Sequence, residues 1–459
     1  MRRILPCIGL VLMLASCGDD SSTSGGVVPA ADGGGSDHDS GNVIFDGGGQ
    51  KTDGDSAAVD TGIVCQHPGP ITIPGTDRCA GDLARATFLF AICSCTDIDT
   101  SSSGFSVGAF DSTTQTKLHT GSVGANGKFV GGSGSIDGPL WAGGIGVTTQ
   151  PVVTATNMTM TRDVVCGGDL TTSGILGIEG DAYVTGAVLG GTGILSIDGV
   201  LHQPASSPPP QGVTPKGGIV TEPVTVGEPC NCSNPLDIAS IVAPVKDDND
   251  DAVVSLTPSS LTNFGNLSLA IGCGRYYFDA ITGGNLSLTV AGPTAIFVAG
   301  DFDAVASINV LPGSQLDLFV AGNLHLSGAW QLGSSDAPAN TRVYVGGTSL
   351  TLDGAFAFNA NLYAPKADVS IKNSAFGIKG ALLARRIEIL GVAGNVTYDQ
   401  AVQELTGCQP SGGGCKSCHD CGGTTPACKG GACVACTSNA DCCPPQACIP
   451  DGRCVTVVK

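Results

Sequence analysis

The chain is poor in positive charge, in aromatic rings and in long apolar runs. Lys and Arg number 21 against 40 Asp and Glu, a formal net charge of −19. A surface of that sign repels phosphate backbones, so no nucleic-acid partner is expected. Aromatic residues are 5% of the chain and charged residues 13%. Helix formers are correspondingly scarce, which argues against a helical bundle. Beyond residue 14 no apolar run approaches the roughly 18 residues that a membrane-spanning helix needs. No G-x-S-x-G, Walker loop or H-E-x-x-H is present. The six histidines, His38, His67, His119, His202, His325 and His419, form no ligand pair. The acidic run Lys246-DDNDD lacks the glycine of a calcium loop, and Pro258 stands where such a loop needs Glu. It reads as a solvated loop. No catalytic residue, metal or cofactor is expected.

Glycine, by contrast, is abundant, with 69 residues. Residues 285–389 repeat short runs of alternating apolar residues separated by small, polar or Pro-containing corners. Leu316, Leu318 and Val320 share one strand face, and Leu324 and Leu326 turn inward again. Period-two alternation is the strand signal. The position of Phe297 recurs at Phe319, Tyr344 and Tyr363, in steps of 22, 25 and 19 residues. A strand repeat of about 20–25 residues predicts a solenoid of stacked β-rungs. Residues 106–201 carry a similar pattern, with Gly-Asp or Asp-Gly corners in which Asp is expected to cap the turn.

The chain divides by composition. Residues 1–17 read as a leader, with Arg2 and Arg3 before a short apolar run that ends in Leu14-Ala15-Ser16-Cys17. Residues 18–62, rich in Gly, Ser and Asp, read as a disordered tether. Residues 63–203 are a first set of β-rungs. Residues 204–262 are a Pro-rich connector with a short helix at Asp237-IASIVAPV, capped by Asn234 or Asp237, and the acidic loop. Residues 263–405 are the main solenoid, ending in a short helix at Tyr398-DQAVQEL that is expected to cap its open end. Residues 406–459 are a cysteine-rich module. The expected fold is therefore mainly β, a parallel β-helix with a disulfide-rich C-terminal module and a disordered N-terminal tether.

There are 21 cysteines. Cys7 lies in the leader and Cys17 at its end, which leaves an odd number and hence one unpaired thiol or an intermolecular bridge. The disulfide candidates are Cys65, Cys79, Cys93, Cys95, Cys166, Cys230, Cys232 and Cys273, with Cys408, Cys415, Cys418, Cys421, Cys428, Cys433, Cys436, Cys442, Cys443, Cys448 and Cys454 in the tail. The tail has too few apolar side chains to hold itself by burial, so disulfides are expected to hold it. Its spacings fit an iron–sulfur cluster poorly, and zinc only by C-x-x-C arithmetic. Cys93/Cys95 and Cys230/Cys232 are C-x-C pairs. On a strand both side chains of such a pair point one way. Each is expected to reach a different segment than its neighbour.

Three resemblances add to this reading. Leu14-Ala15-Ser16-Cys17 resembles the lipobox of bacterial lipoproteins, which implies acylation of Cys17. Gly18 after it implies delivery to the outer membrane, facing the periplasm or the cell surface. Cys273-GRYYFDAI, Asn361-LYAPKADVSI and Val396-TYDQAV are similar to a domain of unknown function in bacterial surface and pilus-associated proteins. The rungs also resemble those of bactofilins, which implies a β-helix with a structural role. Asp441-CCPPQACIPDGRCV resembles Dickkopf-type and knottin-like modules, which implies a small extracellular interaction scaffold.

The expected function is a structural or interaction role for a non-catalytic, outer-membrane lipoprotein. Its expected partners are the membrane, through lipid on Cys17, and an envelope protein or a glycan. An adhesin for glycan or protein is the alternative. Behind it stands a polysaccharide lyase or hydrolase using Lys366, Asp368, Lys372, Arg385, Arg386 and Glu388. For these last rungs a register shift of 18 places Asp368 beside Arg386, whereas a shift of 20 places it beside Glu388. Like charges across a strand pair are unfavourable by up to about 1 kcal/mol. The shift of 18 is therefore expected, with two residues absorbed at the Pro365 corner and Arg386 a structural partner.

Overall fold

The computed structural model describes residues 72–74 and 79–405, except 149, 373, 374 and 392. It also describes short pieces of the tail within 427–456. The leader with Cys17, the tether, His38, Cys65, His67, Cys408, Cys415, Cys418, His419, Cys421 and Cys443 lie outside the described residues.

The body is a parallel β-solenoid of about 13 turns. Its strands fall into three vertical columns, so each turn is triangular. Short runs of alternating residues produce this because one face of every strand is buried inside the coil. On the first column Ile296, Leu318, Val343, Leu362 and Leu382 are paired rung to rung. All of them are buried.

The rungs do not stack in chain order. Residues 262–399 climb one way and end with Leu382–Ile389 and Ala393–Asp399. The next rung is not the end of the chain but its beginning: Ile92–Ser94 pairs with 382–384, and Ile98–Asp111 pairs with both 387–388 and Ala393–Asp399. From there residues 123–221 continue the climb to Ile219–Thr221, which pairs with Leu201–Gln203. The stack thus extends into the segment assigned to the connector. The short helix at the end of the solenoid is a 3-10 turn, Gln400–Glu404, and it caps no end. It lies at the middle of the stack, where Tyr398 Oη and Gln403 Nε2 both donate to Phe88 O, just beyond helix α1 (Ala80–Thr87). Rungs from the N-terminal half cover that end instead.

The connector runs back along the outside of the first column. Helix α2 (Ile238–Val242) is capped by Asp237, whose side chain accepts from Ser240 N. Its length is only 5 residues before it tightens into Ala243–Asp247. Beneath the connector lies the aromatic position read from the repeat. Phe297, Phe319, Tyr344 and Tyr363 are register partners, and the first three are stacked with centroids 5.0 and 4.7 Å apart. They point outward from the coil yet are buried, because Phe88 and the connector roof them. Leu236 N donates to Tyr363 Oη at 2.9 Å. On the same outward face Asp317 and Arg342 form a fully buried bidentate pair at 2.6 and 2.7 Å.

Two disulfides pin the connector to the stack: Cys93–Cys230 and Cys95–Cys232, each closing a separation of 137 residues. Neither C-x-C pair bonds within itself, and the two pairs bond each other. Gly124, the next rung partner of Cys93, leaves the space they need, since a Cβ there would lie 3.1 Å from Cys93 Sγ and 3.2 Å from Cys230 Sγ. Cys79, Cys273, Cys428, Cys436 and Cys442 are also disulfide-bonded. Cys166, included among the candidates for pairing, instead carries a free, buried thiol. It points into the solenoid core, where burial pushes its pKa up to about 12.

The acidic loop is solvated in its first half, where Lys246, Asp247 and Asp248 are exposed, but not at its end. Asp250 and Asp251 are buried beneath the first rung. Asp250 Oδ2 accepts from Arg275 N at 2.8 Å and Asp251 Oδ1 from Tyr277 N at 3.0 Å. These are the strand-edge donors that an open stack would leave unpaired. In the tail, Ala427–Lys429 pairs antiparallel with Ala432–Val434, and Gln446–Cys448 with Cys454–Thr456.

Candidate binding groove

The charged residues late in the main solenoid do not converge. The last rungs have the expected register: Tyr363 pairs with Leu383, Asp368 with Arg386, and the two-residue slip falls between Ala364 and Asp368. The ion pair, however, forms one residue over. Asp368 binds Arg385, while Arg386 lies 3.7 Å from Glu388. The strand turns a corner at this point and leaves Arg385 and Arg386 both exposed. Lys366 and Lys372 are exposed as well. This is a solvated ion-pair face. His325 likewise faces solvent, 2.9 Å from Asp303.

The concave feature lies elsewhere, at the junction of the two halves. The strand Ile98–Asp111 folds back through Thr116–Leu118, which pairs antiparallel with residues 109–111. This hairpin stands up from the stack as a wall and carries Lys117 and His119. Two adjoining hollows of about 590 and 690 Å³ flank it, and His119 and Arg162 line both. Asp137 sits at the centre and is largely buried. His119 Nδ1 donates to its Oδ1 at 2.8 Å, Thr161 Oγ1 donates to the same oxygen at 3.0 Å, and Lys117 Nζ lies 3.3 Å from Oδ2. Burial alone would push the Asp137 carboxyl up. Hydrogen bonds from His119, Thr161 and Lys117 outweigh it and hold the group below the usual carboxylate range.

The carboxylate therefore orients the imidazole and fixes its tautomer, leaving Nε2 for a ligand. The described geometry offers a groove in which His119 Nε2 faces a ligand. Asn395, Ser106 and Ser135, successive register partners, line the floor together with Glu179.

Sequence reading did not single out this cluster. In the sequence His119 has no histidine partner, and Asp137 belongs to the Asp-Gly corners of residues 106–201. The separations of 18 and 24 residues between Asp137 and its partners are rung lengths. In a solenoid that spacing brings residues together, but many polar residues share it.

Among the described residues no helix is long and apolar enough to cross a membrane. No group of three or more His, Cys, Asp or Glu is placed to hold a metal ion there. No curated protein and no solved structure matches the chain. Residues 233–405, which begin immediately after the second stapled cysteine and end at the junction, match the family model of a domain of unknown function, DUF7305.

Proposed function

We propose that this chain is a non-catalytic lipoprotein of the outer membrane that displays its solenoid for a structural or interaction role at the cell envelope. The observation that carries the reading is the lipobox-like Leu14-Ala15-Ser16-Cys17 ahead of a disulfide-stapled solenoid. Lipid on Cys17 supplies the anchor, and several acyl chains hold a protein firmly where one does not. The Cys93–Cys230 and Cys95–Cys232 bonds support export, because such bonds persist in oxidising compartments. The rung geometry supports the bactofilin-like comparison at the level of fold. The cysteine-rich end, read as a knottin-like module, is an interaction scaffold in this proposal. Labelled fatty acid should incorporate into the wild-type chain and not into Cys17→Ser. Continued incorporation in that variant would refute the anchor. An adhesin for glycan or protein is the second reading, and the groove beside His119 favours it. A pull-down from intact envelopes, with and without residues 406–459, separates a partner of the tail from a partner of the solenoid.

A further inference from the structure

We propose that residues 222–229, the first leg of the connector, are a pH-sensitive strap: protonated His202 ties Glu222 down, and loss of that charge lets the strap lift off an outward row of Trp141, Val165 and Tyr183. Trp141, Val165, Tyr183, His202 and Val220 are register partners in turn, so their side chains share the outer face of the first column. The chain leaves the last strand, Ile219–Thr221, at Glu222 and rejoins the stack at Cys230, which bonds Cys93. Five register steps separate Cys93 from His202, about 24 Å at roughly 4.8 Å each. The advance from 222 to 230 spans at most about 26–29 Å, so the segment crosses the row nearly extended. A Cβ at Gly143 would lie 3.2 Å from Gly227 O, and one at Gly124 would lie 3.2 Å from Pro229 Cβ, which puts the strap over Trp141. Beneath it Val165 is buried although it points outward, and Trp141 Nε1 is buried without a hydrogen-bond partner. The strap is held at its ends: Glu222 N donates to Gln203 O, and Cys230 N to Asn126 Oδ1. From Pro223 to Pro229 it makes no backbone hydrogen bond among the described residues. A segment of that kind opens at low cost.

The latch is at the upper end. His202 Nδ1 lies 2.7 Å from Glu222 Oε1, Nε2 lies 3.9 Å from Asp181 Oδ2, and the ring stacks on Tyr183 with centroids 4.3 Å apart. The groups around it are Asp181 and Tyr183 from the strand below, Asp163 from the corner beneath that strand, and Glu222 from the strap. Burial raises the Tyr183 phenol, and Asp181, Asp163 and Glu222 raise it further, the mark of one electronegative neighbourhood. Lys216, at the neighbouring corner, is engaged by Asp198 at 2.7 Å. Among the described residues His202 is therefore the only basic partner of Asp181 and Glu222. Protonated, it bridges the two carboxylates, and its charge rests on the Tyr183 ring. Neutral, it keeps a hydrogen bond to Glu222, but the carboxylate then faces Asp181 and Asp163 without compensation, and that repulsion acts to lift the strap. Carboxylates stay charged down to roughly pH 4–5, and histidine loses its charge between about pH 5 and 8. The strap is thus held near the lower end of that range and freed toward the upper end.

The chain has two tryptophans, and Trp330 is buried in the core, so acrylamide quenching of the full mature chain reads Trp141. The quenching constant should rise about threefold between roughly pH 5.5 and pH 8. Trp141→Phe should lose that rise, which assigns it to the residue under the strap. His202→Gln cannot be protonated and should give the high value at both ends of the range. Glu222→Gln, a change at an exposed side chain, should quench equally at both. His119→Gln, in the junction groove, should keep the wild-type response. Equal quenching of the wild type at the two pH values would overturn the proposal. So would a rise that survives in Trp141→Phe, His202→Gln or Glu222→Gln, or one that disappears in His119→Gln.

Discussion

At the residue scale, the corners hold the stack. Asp163 Oδ1 accepts from Asp181 N at 2.9 Å, and Asp181 Oδ1 from Val200 N at 2.7 Å. Asp97 and Asp301 do the same for Lys128 and Asn323. The Gly-Asp corners were legible in the sequence, but as caps of their own turns. They act between rungs, each carboxylate satisfying a backbone donor one turn away. Gly precedes the donor because a side chain would strike the carboxylate: a Cβ at Gly180 would lie 2.4 Å from Asp163 Oδ1 and 2.6 Å from backbone. Asp163→Ala should therefore cost about 1 kcal/mol, one partly exposed hydrogen bond. Gly180→Ala should cost roughly 1–3 kcal/mol, as overpacking does. Denaturant midpoints of the two variants check the order, and a smaller loss for Gly180→Ala would contradict it.

At the scale of elements, the connector does two jobs that its composition did not announce. Proline and acidic residues marked it as surface chain, and period-two patterning cannot show that the solenoid leaves an aromatic face needing a roof. Nor could it show that the end of the acidic run, Asp250 and Asp251, would be buried. The Asp251 carboxyl is raised from 3.8 to about 6, chiefly by burial, with Asp250 adding to the effect against the Tyr277 N–H. A raised carboxyl favours its neutral form in the fold. Its contribution to stability is full below about pH 4 and is lost as pH rises through about 6. Its Oδ2 has no hydrogen-bond partner. Asp251→Asn should thus match the wild type near pH 4 and exceed it by roughly 2–3 kcal/mol at pH 8. Parallel losses for both proteins across that range would refute this. The staple gives a second expectation. The first bond closes a loop of 137 residues, worth about 5 kcal/mol by chain entropy, and the second then closes almost nothing more. Removing either pair alone should change stability little, and removing both should change it greatly. An additive double-mutant cycle would exclude this account.

At the scale of the whole molecule, the rungs, their inward residues and even the slip at Pro365 were legible, because side-chain alternation and charge are local. The order of the rungs was not. Every rung offers the same kind of edge, and nothing in a repeat says which edge meets which. Both outer ends are blunted by the chain itself, one by Asp250 and Asp251 and the other by a last turn containing Pro208, Pro209, Pro210 and Pro215, which have no N–H to offer. The halves are joined across the middle by pairing and by the staple. Cleavage engineered into the exposed stretch around Gln211 should therefore leave one species on a non-reducing gel. After mild reduction the halves should still migrate together under native conditions. Separation under those conditions would mean that the junction is held by sulfur alone.

The same junction sets a delay. Ile92 must pair with Leu382, which emerges 290 residues later. At 5–20 residues per second that is roughly 15–60 s of synthesis. Throughout that interval the edge of Ile92–Ser94 waits without its partner, a template for any other strand that reaches it. The solenoid therefore winds its first half, from Ile92 to Thr221, with that edge still open. Its middle closes last, and a chain that stops short of residue 382 is left with its most adhesive edge uncovered.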